Sequence, residues 1–146
     1  MTVHLVKLCV GAASVDDLAA WQKSRLAELR RKDKSARIVH ATFQMPKRGD
    51  ELTGGGSLYW VIKGVIQVRQ RILGLADGVR ENGTPCCNIE LDEPLIAVRP
   101  TPRRAFQGWR YLDVADAPPD LGGRAGRGVA AMPERMRREL AELGLI

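Results

Sequence analysis

Apolar residues occupy both sides of the first stretch of the chain. In TVHLVKLCV (residues 2–10), Val3, Leu5 and Lys7 fall on one side and His4, Val6 and Leu8 on the other. Apolar character on both sides predicts an interior strand. Gly11-Ala12-Ala13 breaks it, and Ser14 then reads as a helix N-cap with Asp17 at the third helical position. Leu18, Trp21, Leu26 and Leu29 recur near helical spacing, and Arg30, Arg31, Lys32 and Lys34 crowd the far end, where the helix dipole favours cations. The pattern predicts a helix over 15–32. RIVHATFQM (37–45) reads as a second strand closed by Pro46, and KRGDELTGGGS (47–57) as a polar, glycine-rich loop.

SLYWVIKGVIQVRQRILGL (57–75) decides the fold. With period two, Leu58, Trp60, Ile62, Ile66, Val68 and Ile72 share a side, and Lys63, Gln67, Arg69 and Arg71 project from the other. A helical stripe through Leu58, Ile62, Val65, Val68 and Ile72 also fits. The density of β-branched residues favours one long strand, with Gly64 permitting a bulge or sharp bend. Asp77-Gly78 and Asn82-Gly83 are turn signals, after which Cys87, Ile89 and Leu91 alternate as a return strand. Leu95–Val98 reads as another strand ended by Pro100 and Pro102, and RPTPRRAFQGWRYL (99–112) as a basic loop running into a short strand. The expected organisation is an α+β domain over 1–113, a Pro/Gly-rich linker over 114–131 and a short helix over 132–146. Its expected architecture is a small twisted β-barrel or half-barrel with one main helix near the N-terminus.

Charge sharpens this outline. The 146-residue chain has 23 Lys+Arg against 17 Asp+Glu, a formal net charge of +6. Residues 57–75 and 95–112 together hold Lys63, Arg69, Arg71, Arg99, Arg103, Arg104 and Arg110 and no acid, so the rest of the chain is nearly neutral. The same stretches hold Tyr59, Trp60, Phe106, Trp109 and Tyr111. Acid-free basic segments interleaved with aromatics are what a polyanion-binding face requires. A core strand pair with a basic outer side gives the same pattern. No apolar run reaches the roughly 18 residues of a membrane span, and the three cysteines give neither a disulfide framework nor a zinc spacing. A reduced, cytoplasmic protein without metal, cofactor or membrane partner is expected.

The candidate catalytic groups are sparse. Three consecutive glycines offer backbone N–H groups to a phosphate, yet neither the P-loop ending nor G-x-G-x-x-G is present. Asp50-Glu51 are adjacent loop acids, Cys86-Cys87 cannot easily bridge each other, and His4 and His40 are lone strand histidines. Ser57 lacks the nucleophile elbow. The basic-aromatic set is the stronger signal, because Arg both pairs with phosphate through two parallel hydrogen bonds and stacks on bases. Trp109 or Tyr111, exposed beside Arg103, Arg104 and Arg110, would give a stacking platform; as core residues of the last strand they would not.

HLVKLCVG, GSLYWVIKG followed by RQRIL, and FQGWRYL followed by DAPPDL resemble an uncharacterised bacterial family of proteins about 150 residues long, classed as a domain of unknown function. This resemblance spans nearly the whole chain and implies no activity. A looser one is to PUA-like barrels of the ASCH and EVE groups, which implies binding of RNA or a modified base. GVIQVRQR offers Gly64, Gln67 and Arg69 or Arg71 toward the ASCH pattern, with Lys63 before the glycine, but the glutamate of that pattern is missing, which argues against ASCH-type hydrolysis.

The leading expectation is a non-enzymatic module that binds RNA or another single-stranded nucleic acid through Lys63, Arg69, Arg71, Arg99, Arg103, Arg104, Trp109 and Arg110. The alternatives are a small hydrolase acting on a nucleotide or modified base in a pocket near Lys63, Arg69 and Asp50, and a subunit whose basic face meets an acidic protein.

Overall fold

The computed structural model describes residues 2–104 and 106–121. In chain order the elements are β1 Val3–Leu8, α1 Val15–Lys32, β2 Ile38–Thr42, α2 Gly49–Thr53, β3 Ser57–Ile62, β4 Val65–Val79, β5 Pro85–Leu91, β6 Ile96–Pro102, β7 Trp109–Asp113 and a 3-10 turn at Val114–Asp116. The strands order as β2-β5-β4-β3-β1-β7, with β6 added on β4. Only β1 and β3 run parallel among these pairs. The 15-residue β4 is the spine: its first half pairs with β3 and β6, and its second half with β5.

The α+β class holds, but the sheet is open rather than closed into a barrel. It ends at β2 on one side and β7 on the other, and these two do not pair among the described residues. The single strand expected over 57–75 is two strands. Lys63 and Gly64 adopt φ of 49° and 78°, the left-handed pair that a two-residue hairpin turn requires. Gly64 therefore reverses the chain instead of bending it.

The helix follows its sequence signals. Ser14 Oγ accepts from the Asp17 N–H at 3.1 Å, and the Asp17 carboxylate accepts from the Ala13 N–H at 3.1 Å. Leu18, Gln22 and Leu26, four residues apart, face the sheet, whereas Trp21 is 57% exposed. A buried glutamine replaces the expected tryptophan because its amide is satisfied. Gln22 Nε2 donates to Gln70 Oε1 at 2.8 Å, Gln70 Nε2 returns a bond to Gln22 Oε1 at 2.9 Å, and Trp60 Nε1 also donates to Gln70 Oε1 at 2.8 Å.

The sheet buries both faces. Between α1 and the sheet lie Leu5, Leu18, Leu26, Leu58, Trp60, Ile62, Val68, Ile72 and Ile89; on the other face lie Val6, Tyr59, Val61, Ile66, Val98 and Leu112. All six residues of β3 are buried, which accounts for its continuous apolar run. The expected loop at 47–57 contains the short helix α2, with Leu52 fully buried. Two of its three following glycine amides are committed to that helix: Gly54 N–H to Asp50 O and Gly56 N–H to Leu52 O. Asn82-Gly83 forms its turn, but Asp77-Gly78 lies inside β4. Pro100 and Pro102 lie within β6, whose ladder to β4 shifts register between Ile66 and Val68; a bulge is where a sheet tolerates proline.

Of residues 114–121, expected as linker, Val114–Asp116 form the 3-10 turn and 119–121 run along β6. Arg99 N–H donates to Pro119 O and Leu121 N–H to Ala97 O, both at 2.9 Å, and Pro118 is buried. The rest of the expected linker and the helix over 132–146 lie outside the described residues.

Candidate nucleic-acid interface

The hairpin turn sets the position of one charged end of the sheet. Arg103 N–H donates to Gly64 O at 2.8 Å, so the chain leaving β6 is tied to the β3–β4 turn that carries Lys63. Beyond it, Phe106 packs partly buried on the face of Val6, Tyr59 and Val98. The Arg103 and Arg110 guanidinium carbons stand 5.6 and 5.4 Å from the Phe106 ring centroid. Arg110 Nη1 also donates to the Gln107 and Trp109 carbonyls. Lys63 and Arg104 are exposed. None of these four cations has a carboxylate partner among the described residues.

The other four expected site residues are elsewhere. Arg69 is committed: Nε and Nη2 grip the Asp120 carboxylate at 2.7 Å each, and Nη1 donates to Ser57 Oγ at 2.9 Å. That fork holds the Arg69 guanidinium above its ordinary range and the Asp120 carboxyl below its own. Arg71 is exposed two residues further along β4, and Arg99 is exposed on β6. Trp109 lies on the opposite face from Arg110, as strand alternation requires. Its ring packs at 4.8 Å against Tyr111, both lean on the helix-side core, and its Nε1 donates to Gln44 O at 2.9 Å. The aromatic that accompanies the arginines is Phe106, not Trp109. Gln67, expected to project with the cations, is 3% exposed, and its Nε2 donates to Ile62 O across the hairpin at 3.1 Å.

Other candidate chemistry is quiet. Asp50 is exposed on α2, and Glu51 is held by Arg48 through two hydrogen bonds. Arg69 lines a shallow cavity with His4 and Tyr59 to which neither Lys63 nor Asp50 contributes, so the residues of the expected hydrolase pocket do not meet there. Burial raises the Cys87 thiol and pushes Cys9 up to about 11, so both stay protonated and poorly nucleophilic at neutral pH. His4 accepts from the Ser57 N–H through Nδ1 at 2.9 Å, and burial, then Arg69, lowers its pKa. No cluster of three metal-ligating side chains occurs among the described residues, and no described helix is long and apolar enough to cross a membrane.

The model of a family described as "Protein of unknown function (DUF1489)" matches residues 5–146. The chain belongs to this family. No curated protein and no solved structure matches it. The DUF1489 match takes in every residue of the basic end, from Lys63 to Arg110.

The DUF1489 fold also gathers groups that the sequence left apart. Lys7, at the end of β1, Trp21 on α1, His40 on β2 and Trp60 on β3 line one cavity of about 270 Å³. The signal available for it was Lys7, a lone cation in an otherwise apolar interior strand.

Proposed function

We propose that this chain is a non-catalytic module that binds single-stranded RNA at the end of the sheet carrying Lys63, Arg103, Arg104 and Arg110. The observation that carries this reading is the convergence of Arg103 and Arg110 on Phe106, beside the Lys63 turn and without an acid partner among the described residues. Cations held on a ring and on carbonyls keep fixed positions while their remaining N–H groups face phosphate, and a guanidinium plane over an aromatic ring offers its outer face to a base.

Replacing both Arg103 and Arg104 by Glu tests the reading in a filter-binding assay with single-stranded RNA. Two lost contacts and two new repulsions should weaken binding at least tenfold for every sequence, whereas Arg71→Glu, far along β4, should change it little. Equal loss from both variants would mean a diffuse attraction without a site. If neither variant affects RNA binding, this reading fails and an acidic protein becomes the partner to seek.

A further inference from the structure

The cavity of about 270 Å³ lies between the first half of α1 and the ends of β1 and β2. Its walls are mainly apolar, with Leu18, Ile38 and the Trp21 and Trp60 rings among them. A dry cavity of roughly 150 Å³ holds benzene, so this one takes a molecule of one or two rings. Most of the polar groups around it are already engaged. Gln22 and Trp60 Nε1 bond to Gln70, and the Asp17 carboxylate accepts from the Ala13 N–H. Lys7 and His40 are not. Lys7 makes no hydrogen bond or ion pair among the described residues, and His40 Nε2 is buried without a partner.

Apart from the Asp17 carboxylate, which is held by the Ala13 N–H, the charged groups around the cavity are basic. Lys7 and Arg80 stand close enough to depress the charging of His40, and Arg80 that of Lys7. Arg80 lies over the Phe43 ring at 3.8 Å, with its Nε buried and unpartnered. These three basic groups have no carboxylate partner among the described residues. Burial lowers the Lys7 pKa, then Arg80 lowers it further; an anion beside Lys7 reverses the second effect and compensates the first. A single cation on the cavity wall suits a monoanion, whereas a phosphate dianion calls for more donors.

We propose that this cavity binds a small organic carboxylate, its flat apolar body against the Trp21 and Trp60 rings and its carboxylate at Lys7. This site is independent of the basic end of the sheet and of its RNA reading. Ligands of this kind are oriented by a few polar groups in an otherwise apolar pocket, as here.

The test titrates the full chain with benzoate, phenylacetate and cyclohexanecarboxylate, and with the amide of each, following tryptophan fluorescence and the thermal midpoint. At least one acid should saturate with a Kd on the order of 1 mM or tighter, and about tenfold below that of its amide. Lys7→Met keeps the apolar stem and should bring acid and amide to equal affinity. Trp21→Ala changes an exposed residue, leaves the core intact, and should weaken both. No saturation by about 10 mM would overturn the proposal. So would equal affinity of acid and amide in the unmodified chain, or an acid preference that survives in Lys7→Met. Should Lys7→Met fail to fold, the acid-to-amide ratio of the unmodified chain and the loss in Trp21→Ala decide the matter.

Discussion

His40 is packed edge-on against Trp60, with ring centroids 4.9 Å apart. Burial, then Lys7 and Arg80, lowers its pKa from 6.5 to about 4. The unfolded chain therefore takes up a proton below pH 6.5 that the folded chain refuses until about pH 4. Stability is full above that window and declines as pH falls through it, by roughly 3 kcal/mol for a shift of this size. His4, also lowered, acts in the same direction. Urea midpoints between pH 7 and pH 4 should show this decline, and His40→Phe, which keeps the ring contact, should remove most of it; a midpoint equally pH-dependent in the variant would contradict the assignment. Gln67 gives a second expectation at this scale. Its buried amide bonds across the hairpin, so Gln67→Ala should cost about 1–3 kcal/mol in urea unfolding, below the roughly 2–5 kcal/mol of Ile66→Ala. Periodicity alone assigns Gln67 to solvent, because a pattern of polar and apolar positions cannot show that a polar group has found a partner.

The β3–β4 hairpin shows what a period-two reading can and cannot detect. The two-residue turn pairs Ile62 with Val65, which shifts the phase of the alternation by one. The ladder then moves register between Trp60 and Val61, leaving Gln67 as an extra residue of β4, so that Trp60 pairs with Val68. The bulge restores the phase that the turn changed. Even-numbered apolar positions thus continue across a chain reversal, and the segment imitates one long strand. Only Ile66 betrays it: it lies on the opposite face from Trp60, Ile62 and Val68. The bounds of α1 were legible because its cap and dipole charges agree, although its stripe misplaced Trp21 for the buried Gln22. The turn also yields a clean test. Lys63→Asn removes a charge from a left-handed position that Asn tolerates, so thermal stability should hold or rise slightly, while Gly64→Ala should lower it by about 1 kcal/mol. A destabilised Lys63→Asn would mean that the lysine side chain, not the turn geometry, supports the hairpin.

Across the whole molecule, the two acid-free segments are legible in the sequence but their arrangement is not. β4 carries Arg69 and Arg71 away from the turn, at 3.3 Å or so per residue, and Asp120 neutralises Arg69 from a segment 51 residues later. β7 alternation sends Trp109 to the helix side, and the chain after Pro102 returns to the hairpin and brings Phe106 under two arginines. Such placements follow from register and loop closure, which no local pattern encodes. Lys63, Arg103, Arg104 and Arg110 form the basic end on which the functional reading rests. The direct measurement is the affinity for single-stranded RNA over a range of salt concentration, by filter binding. Four phosphate contacts predict that log K falls against log salt with a slope of about −3, at about 0.7 per contact, and that Lys63→Asn makes it less steep by roughly one contact. Affinity independent of salt, or no RNA binding below about 100 μM at low salt, would contradict the account.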